Sequence, residues 1–156
     1  MKIRPAEEKD IEKILDLLSQ VLELHAAYRP DLFIPGTTKY SREELIRMIS
    51  EENRRIFVAV DENDEVNGYA FCEIRKSSPR ANMVPHTSLY VNDLCVDEKV
   101  REHHIGKELM EHVFREASAL GCYEISLTVW EDNTDARKFY DHMGFSPKST
   151  TMEYIL

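Results

Sequence analysis

The sequence predicts an α/β fold, more fully an α+β arrangement: a mixed, mostly antiparallel sheet with flanking helices. Three observations carry that expectation. Apolar residues recur at helical spacing in two long segments, one before Tyr28 and one before Gly121. Alternating or short apolar runs mark strands between and after them. The elements follow in the order β-α-α-β-β-β-α-β-α-β, which wraps helices around one sheet. The chain of 156 residues shows no internal repeat, linker or low-complexity segment, so a single domain over residues 1–156 is expected.

Taken in order, Lys2 to Arg4 forms a short first strand. Ile11, Ile14, Leu15, Leu18, Leu22 and His25 share one face of a helix from about Glu8 to Ala27, ended by Tyr28-Arg29-Pro30. Pro30 to Thr38, with two prolines and a glycine, is a loop. Ser41-Arg42-Glu43-Glu44 is a capping box that opens a second helix carrying Leu45, Met48 and Ile49. Ile56 to Val60 and Val66 to Ile74 are strands joined by the polar turn Asp61 to Glu65, hence a hairpin. Lys76 to Pro85 is a polar connection, and a longer strand runs from about His86 to Val96. Ile105, Leu109, Val113, Ala117 and Leu120 line the next helix, which stops at Gly121. Ile125, Leu127 and Val129 alternate with polar residues as a strand. Asn133 caps a short helix holding Ala136, Phe139, Tyr140 and Met143, closed by Gly144. Phe145 onward and Met152 to Leu156 are expected as final short strands.

Composition excludes several function classes. A net charge of −9 with no basic face argues against a nucleic-acid partner and suits a cationic small molecule as well as simple solubility. No apolar run approaches the ~20 residues of a membrane span, and Met1 to Pro5 lacks the apolar core of a secretion signal, so a cytoplasmic protein is expected. Cys72, Cys95 and Cys122 are odd in number and widely spaced, which reads as small core hydrophobes rather than a disulfide framework or zinc site. His103, His104 and His112 lack a carboxylate or cysteine at a ligand spacing, so no metal is expected.

The positive charge gathers at one informative junction. Val100 to Leu109 follows a strand and opens a helix, where unpaired backbone N–H groups and the positive end of the helix dipole favour phosphate. Arg101 and Lys107 flank it. The loop lacks the glycine spacing of a P-loop or of a dinucleotide fold, which disfavours a nucleotide-binding domain.

Strand, Arg101-x-x-His104-x-Gly106, long helix, strand, then Asn133-x-x-Ala136-x-x-Phe139-Tyr140-x-x-x-Gly144-Phe145 resembles the GCN5-related N-acetyltransferase (GNAT) family. The resemblance in element order covers nearly the whole chain; its motifs lie between about Asp93 and Phe145. It implies a splayed central strand pair with acetyl-CoA in the cleft and no metal. Loop residues Arg101, His103, His104, Ile105, Gly106 and Lys107 would hold the pyrophosphate, and Asn133 and Tyr140 would face the pantetheine and thioester sulfur. The family commonly has glycine where this chain has His104. Glycine lets backbone approach phosphate and tolerates unusual dihedrals; a histidine fits if it keeps an ordinary helical conformation.

Acetyl transfer to an amine needs a neutral amine, a donor to the thioester carbonyl and an acid for the leaving thiolate. A backbone N–H within Leu94, Cys95 and Val96 is expected to polarise the carbonyl. Tyr140 is the candidate acid, with core packing as its structural alternative; Asn133 serves equally as a helix cap. Asp93, a carboxylate among apolar strand residues, must be paired or face a cleft; it reads as base, cation anchor or salt-bridge partner. His25, Tyr28 and Phe33 are candidate walls of the acceptor pocket, or packing residues. Cys95 has no general base nearby in sequence, so direct transfer in a ternary complex is expected rather than an acyl-enzyme. The expected acceptor is a primary amine of a small molecule or peptide, and the expected assembly a homodimer. A catalytically silent acyl-CoA-binding regulatory module is the alternative reading.

Overall fold

The structure, a computed structural model, describes residues 1–78 and 82–156, with the side chains of residues 101–103 also outside the description. Part of the expected connection from Lys76 to Pro85 therefore lies outside the described residues. Five strands form one sheet in the order β1-β2-β3-β4-β5: β1 Lys2–Pro5, β2 Arg54–Val60, β3 Val66–Lys76, β4 Thr87–Val96 and β5 Glu124–Leu127. The first four pair antiparallel and β5 joins β4 in parallel. Helices α1 Ile11–Tyr28 and α2 Arg42–Ser50 cover one face, and α3 Ile105–Ala119 and α4 Thr134–His142 the other.

Each face is sealed by the residues the periodicity selects. Ile11, Ile14, Leu17 and Leu18 of α1 and Leu45 and Met48 of α2 pack on Val58, Tyr69, Phe71 and Cys95. Ile105, Leu109, Met110 and Val113 of α3 pack on Phe57, Ala70, Cys72, Leu89 and Val91. Gly68 is required between them, since a Cβ there would meet the Cys95 carbonyl oxygen at 2.8 Å. The capping box of α2 forms as expected: the Ser41 hydroxyl accepts from the Glu44 amide, and the Glu44 carboxylate accepts from the Ser41 amide.

Two expectations need correction. The segment 146–156 is not a strand: it is exposed throughout, and among the described residues it has no backbone partner. A strand needs a neighbour to satisfy its backbone, and among the described residues nothing supplies that ladder. The strand expected through Val129 ends at Leu127, because β5 loses its pairing with β4 there.

Candidate active site

The site begins with one extra residue. Along the β3–β4 ladder Phe71 pairs with Asp93 and Cys72 with Val91, so Asn92 is a bulge. The bulge shifts the alternation by one. Leu89, Val91, Leu94 and Val96 thus share the α3–α4 face, while Cys95 packs under α1, its thiol donating to the Leu17 carbonyl at 3.6 Å. Asp93 lies on that α1–α2 face, two residues from Cys95. The bulge also ends the sheet's central pairing. β4 and β5 are joined only from Ser88↔Glu124 to Val91↔Leu127, whereas β4 continues along β3 to Val96. Past Val91, Leu94 to Val96 therefore keep β3 as their ladder partner while β5 no longer pairs with them.

Asp97 closes β4 and is itself fixed by Lys13 of α1 at 2.5 Å and by the Lys99 amide. A short 3-10 turn over Glu98–His103 leads to α3. The Arg101 and His103 side chains, both expected at the phosphate, lie outside the described residues. His104 corrects its expectation: it is not helical but left-handed, with φ 58° and ψ 16°, and its side chain is exposed. The position therefore keeps the conformation that glycine adopts most readily, and His is among the non-glycine residues that reach it. α3 has no side-chain cap, so the amides of Ile105, Gly106 and Lys107 open its N-terminus without intrahelical partners. Gly106 faces α4, where a Cβ would make ordinary van der Waals contact with the Phe139 ring at 3.5 Å.

Asn133 caps α4, its side-chain oxygen accepting from the Ala136 amide at 3.1 Å, and so fixes the helix that presents Tyr140. The Tyr140 ring is held edge-on by Phe139 and Phe145, with centroids 5.2 and 5.6 Å away. Burial pushes its hydroxyl pKa well up, and the Asp93 and Cys72 charges add to the shift, so it stays protonated.

On the α1–α2 side, burial raises the Asp93 pKa, opposed by the Lys39 ammonium 3.4 Å away and by His25. Burial lowers the His25 pKa against the pull of Asp93, which favours the neutral ring. His25 packs with Phe33 at 5.2 Å and Trp130 at 6.4 Å, and Phe33 meets Trp130 edge-on at 5.5 Å. The Arg29 guanidinium lies 5.7 Å over the Trp130 ring. Tyr28 makes no ring contact with this group among the described residues. Lys39 and Arg29 are members that the sequence did not single out; neither has a local pattern, although Arg29 lies one helical turn beyond His25. Tyr69 is a third: its buried hydroxyl has no partner among the described residues, and its pKa is raised by burial and then by Asp93. Also among the described residues, no group of three or more His, Cys, Asp and Glu is placed to hold a metal ion.

Comparison with known proteins agrees with the fold. The model of the acetyltransferase (GNAT) family matches residues 19–145. A Bacillus subtilis (strain 168) protein, YwnH, named provisionally as a phosphinothricin acetyltransferase, is 23% identical over 94% of this chain and 84% of its own length. The crystal structure of a mutant BH1408 protein from Bacillus halodurans superposes with a TM-score of 0.96 at 29% identity, covering 100% of this chain and 99% of the other. Glucosamine-6-phosphate N-acetyltransferase from Arabidopsis thaliana shares the fold, with a TM-score of 0.71 at 24% identity over 99% and 97% of the two chains.

Proposed function

The chain belongs to the acetyltransferase (GNAT) family and is an acetyl-CoA-dependent N-acetyltransferase, and we propose that it acetylates the primary amine of a small molecule or peptide by direct transfer in a ternary complex. The observation that carries this reading is the divergence of β4 from β5 just past the Asn92 bulge. The reading takes the space so left as one cleft, with Tyr140 and the α3 N-terminus on one side and Asp93 and His25 on the other. The proposal takes residues 1–156 as one domain, working in the cytoplasm as a homodimer. Among the described residues no helix is long and apolar enough to cross a membrane.

The geometry of the loop supports acetyl-CoA as its ligand. Left-handed His104 directs the chain so that the Ile105, Gly106 and Lys107 amides open an uncapped helix, where a pyrophosphate would be held. Arg101 and His103 are assigned to the same group, and Asn133 to the pantetheine beside Tyr140. When bound, acetyl-CoA supplies the activated acetyl group. A backbone N–H of the stretch Leu94, Cys95 and Val96, on the edge where β5 has turned away, would donate to the carbonyl oxygen as it gains charge. Tyr140, kept protonated by burial, would give its proton to the leaving sulfur.

Asp93 would take the proton of the incoming ammonium, directly or through water. Burial raises its basicity, and the Lys39 ammonium beside it marks where a cationic amine would sit. His25 and Phe33, together with Trp130, would wall the acceptor, with Tyr28 assigned to the outer rim. The Cys95 thiol is turned to the Leu17 carbonyl, away from an acyl-carrying role.

Calorimetric titration with acetyl-CoA, with ATP and NAD as controls, followed by an amine panel scored by CoA release, tests the reading. Selective binding with amine-dependent release is expected. Binding without release for any amine would leave the silent acyl-CoA-binding module instead.

A further inference from the structure

Asp93 within β4 and Asp97 just past its end each hold a lysine, and the two pairs are built differently. Lys13 meets Asp97 at 2.5 Å and Asp16 at 2.9 Å. Chiefly through their mutual hydrogen bond, the Asp97 carboxyl lies below its usual range and the Lys13 amine above, so that pair is locked in its charged form. Lys39 meets Asp93 at 3.4 Å and no second carboxylate among the described residues. Burial outweighs that contact, so the Asp93 carboxyl lies above its usual range and keeps its appetite for a proton. The Asp97 pair ties α1 to the end of the sheet, whereas the Asp93 pair presents a primary amine to a base.

The neighbours of Lys39 bring it there. Tyr40 stacks on Phe71, with ring planes 10° apart and centroids 6.1 Å apart, and Phe71 is the ladder partner of Asp93. Ser41 then caps α2. Position 39 is therefore set beside Asp93 by two fixed points, while its side chain, 44% exposed, keeps the freedom to turn. The Asp93 charge is also felt at the Tyr140 hydroxyl, which groups the proposed base, the proposed acid and the Lys39 amine.

We propose that Lys39 is itself a substrate of this site, acetylated on Nζ within its own chain when acetyl-CoA is bound and no acceptor is present. The inference rests on the direct-transfer reading above. An amine already held at the base reacts intramolecularly, without the entropy cost of bringing in an acceptor. The Lys39 ammonium gives a proton to Asp93, and the freed lone pair forms an N–C bond to the acetyl carbonyl carbon. The C–S bond breaks, and Tyr140 protonates the leaving sulfur. Of the two protons that the nitrogen loses, one restores Tyr140 and the other passes from Asp93 to water. The products are an uncharged amide and CoA. An amide nitrogen is no longer a nucleophile, so the event occurs once per chain, and it releases Asp93 from its internal cation.

The test incubates the full chain with acetyl-CoA and no amine acceptor, and follows the label by intact mass and peptide mapping. A gain of one acetyl group at Lys39 is expected, with a first-order rate that holds over a wide range of protein concentrations. Lys39→Arg keeps a cation beside Asp93 and should fold, as circular dichroism would verify, yet gain no acetyl group. Tyr140→Phe should slow the labelling by about 10²–10⁴-fold, as loss of the acid does for any acceptor. Reductive methylation supplies a readout without acetyl-CoA: Lys39 should react several-fold slower in the parent than in Asp93→Asn. Equal methylation would show that the pair does not hold the amine in solution and would overturn the proposal. Acetyl groups spread over many lysines, at rates that Tyr140→Phe leaves unchanged, would overturn it as uncatalysed chemistry. A rate constant that rises with protein concentration would overturn it as transfer between copies. Amine-dependent CoA release with Lys39 unmodified would overturn self-acetylation alone, whereas neither label nor release would overturn the direct-transfer reading as well.

Discussion

The two sides of β4 are built by different means. On the α3–α4 side the site is main chain and contiguous sequence: a left-handed residue, an uncapped helix start, a glycine against Phe139, and Tyr140 on a helix fixed by Asn133. On the α1–α2 side it is side chains gathered from distant places: His25 and Arg29 from α1, Phe33 and Lys39 from the following loop, Asp93 from β4 and Trp130 beyond β5. Groups that meet a constant ligand can be backbone, because the backbone's donors are always present. Groups that choose an acceptor must be side chains, because only they can vary without moving the fold. Substitutions on the two sides should therefore separate in kinetics.

The largest effect is expected at the junction. Tyr140→Phe removes the proposed acid but keeps the ring between Phe139 and Phe145, so kcat should fall by about 10²–10⁴-fold. Acetyl-CoA affinity, measured by calorimetry, should scarcely move. Equal turnover would reduce Tyr140 to packing and break the division at its centre.

Asp93→Asn comes next, with kcat/KM for the amine down roughly tenfold to a hundredfold, as for loss of a hydrogen bond to a charged group. Stability should move the other way. Burial raises the Asp93 pKa in the folded state, so the folded protein keeps that proton to higher pH than the unfolded chain does. Stability then falls as pH rises through the window between the unfolded and folded values, and stays reduced above it. The asparagine variant loses this dependence and should melt higher than the parent at neutral pH. Thermal melts across the acid-to-neutral range would show whether the two curves diverge with that sign.

Trp130→Ala should act on the acceptor side alone. Losing its edge contacts with His25 and Phe33 should raise the acceptor KM by roughly threefold to tenfold, the scale of an aromatic pair. The acetyl-CoA constants should hold. A matching rise in the KM for acetyl-CoA would mean that Trp130 lines both halves of the cleft and that the separation is weaker than drawn.

The same contrast decides what was legible in the sequence. The order and type of every element up to α4 could be read, because amphipathic period and caps are local. The residues proposed for the α3–α4 half are contiguous in sequence, a strand, a loop and a helix start, and the Asn133-to-Phe145 motif spans α4 and its two ends. Lys39 and Arg29 escaped because nothing beside them in sequence announces a partner 54 or 124 residues away. The bulge left a trace that was missed: apolar residues fall at Leu89 and Val91, then at Leu94 and Val96, a change of phase at Asn92 that puts Asp93 on the α1–α2 face. The C-terminal segment was read as strand from its composition, but a strand is a property of a pair, and among the described residues no segment pairs with it.

His104 is where the two kinds of construction meet, a side chain occupying a backbone role, and it gives the smallest and sharpest prediction. Its φ of 58° places Cβ against the following carbonyl, a conformation that costs an L-residue about 1–2 kcal/mol. The ring is exposed, so no packing offsets that cost. His104→Gly relieves the strain but frees the unfolded chain, which returns about half of the gain. A net stabilisation of about 0.5–1 kcal/mol is expected in denaturant melts. Acetyl-CoA affinity should stay within about threefold if the Ile105, Gly106 and Lys107 amides carry the phosphate contact, since their geometry depends on the left-handed turn and not on the imidazole. A larger loss of affinity would show that the ring donates to the phosphate. The cofactor half would then rely on a side chain after all, chosen at the one position where this chain has histidine in the conformation that suits glycine best.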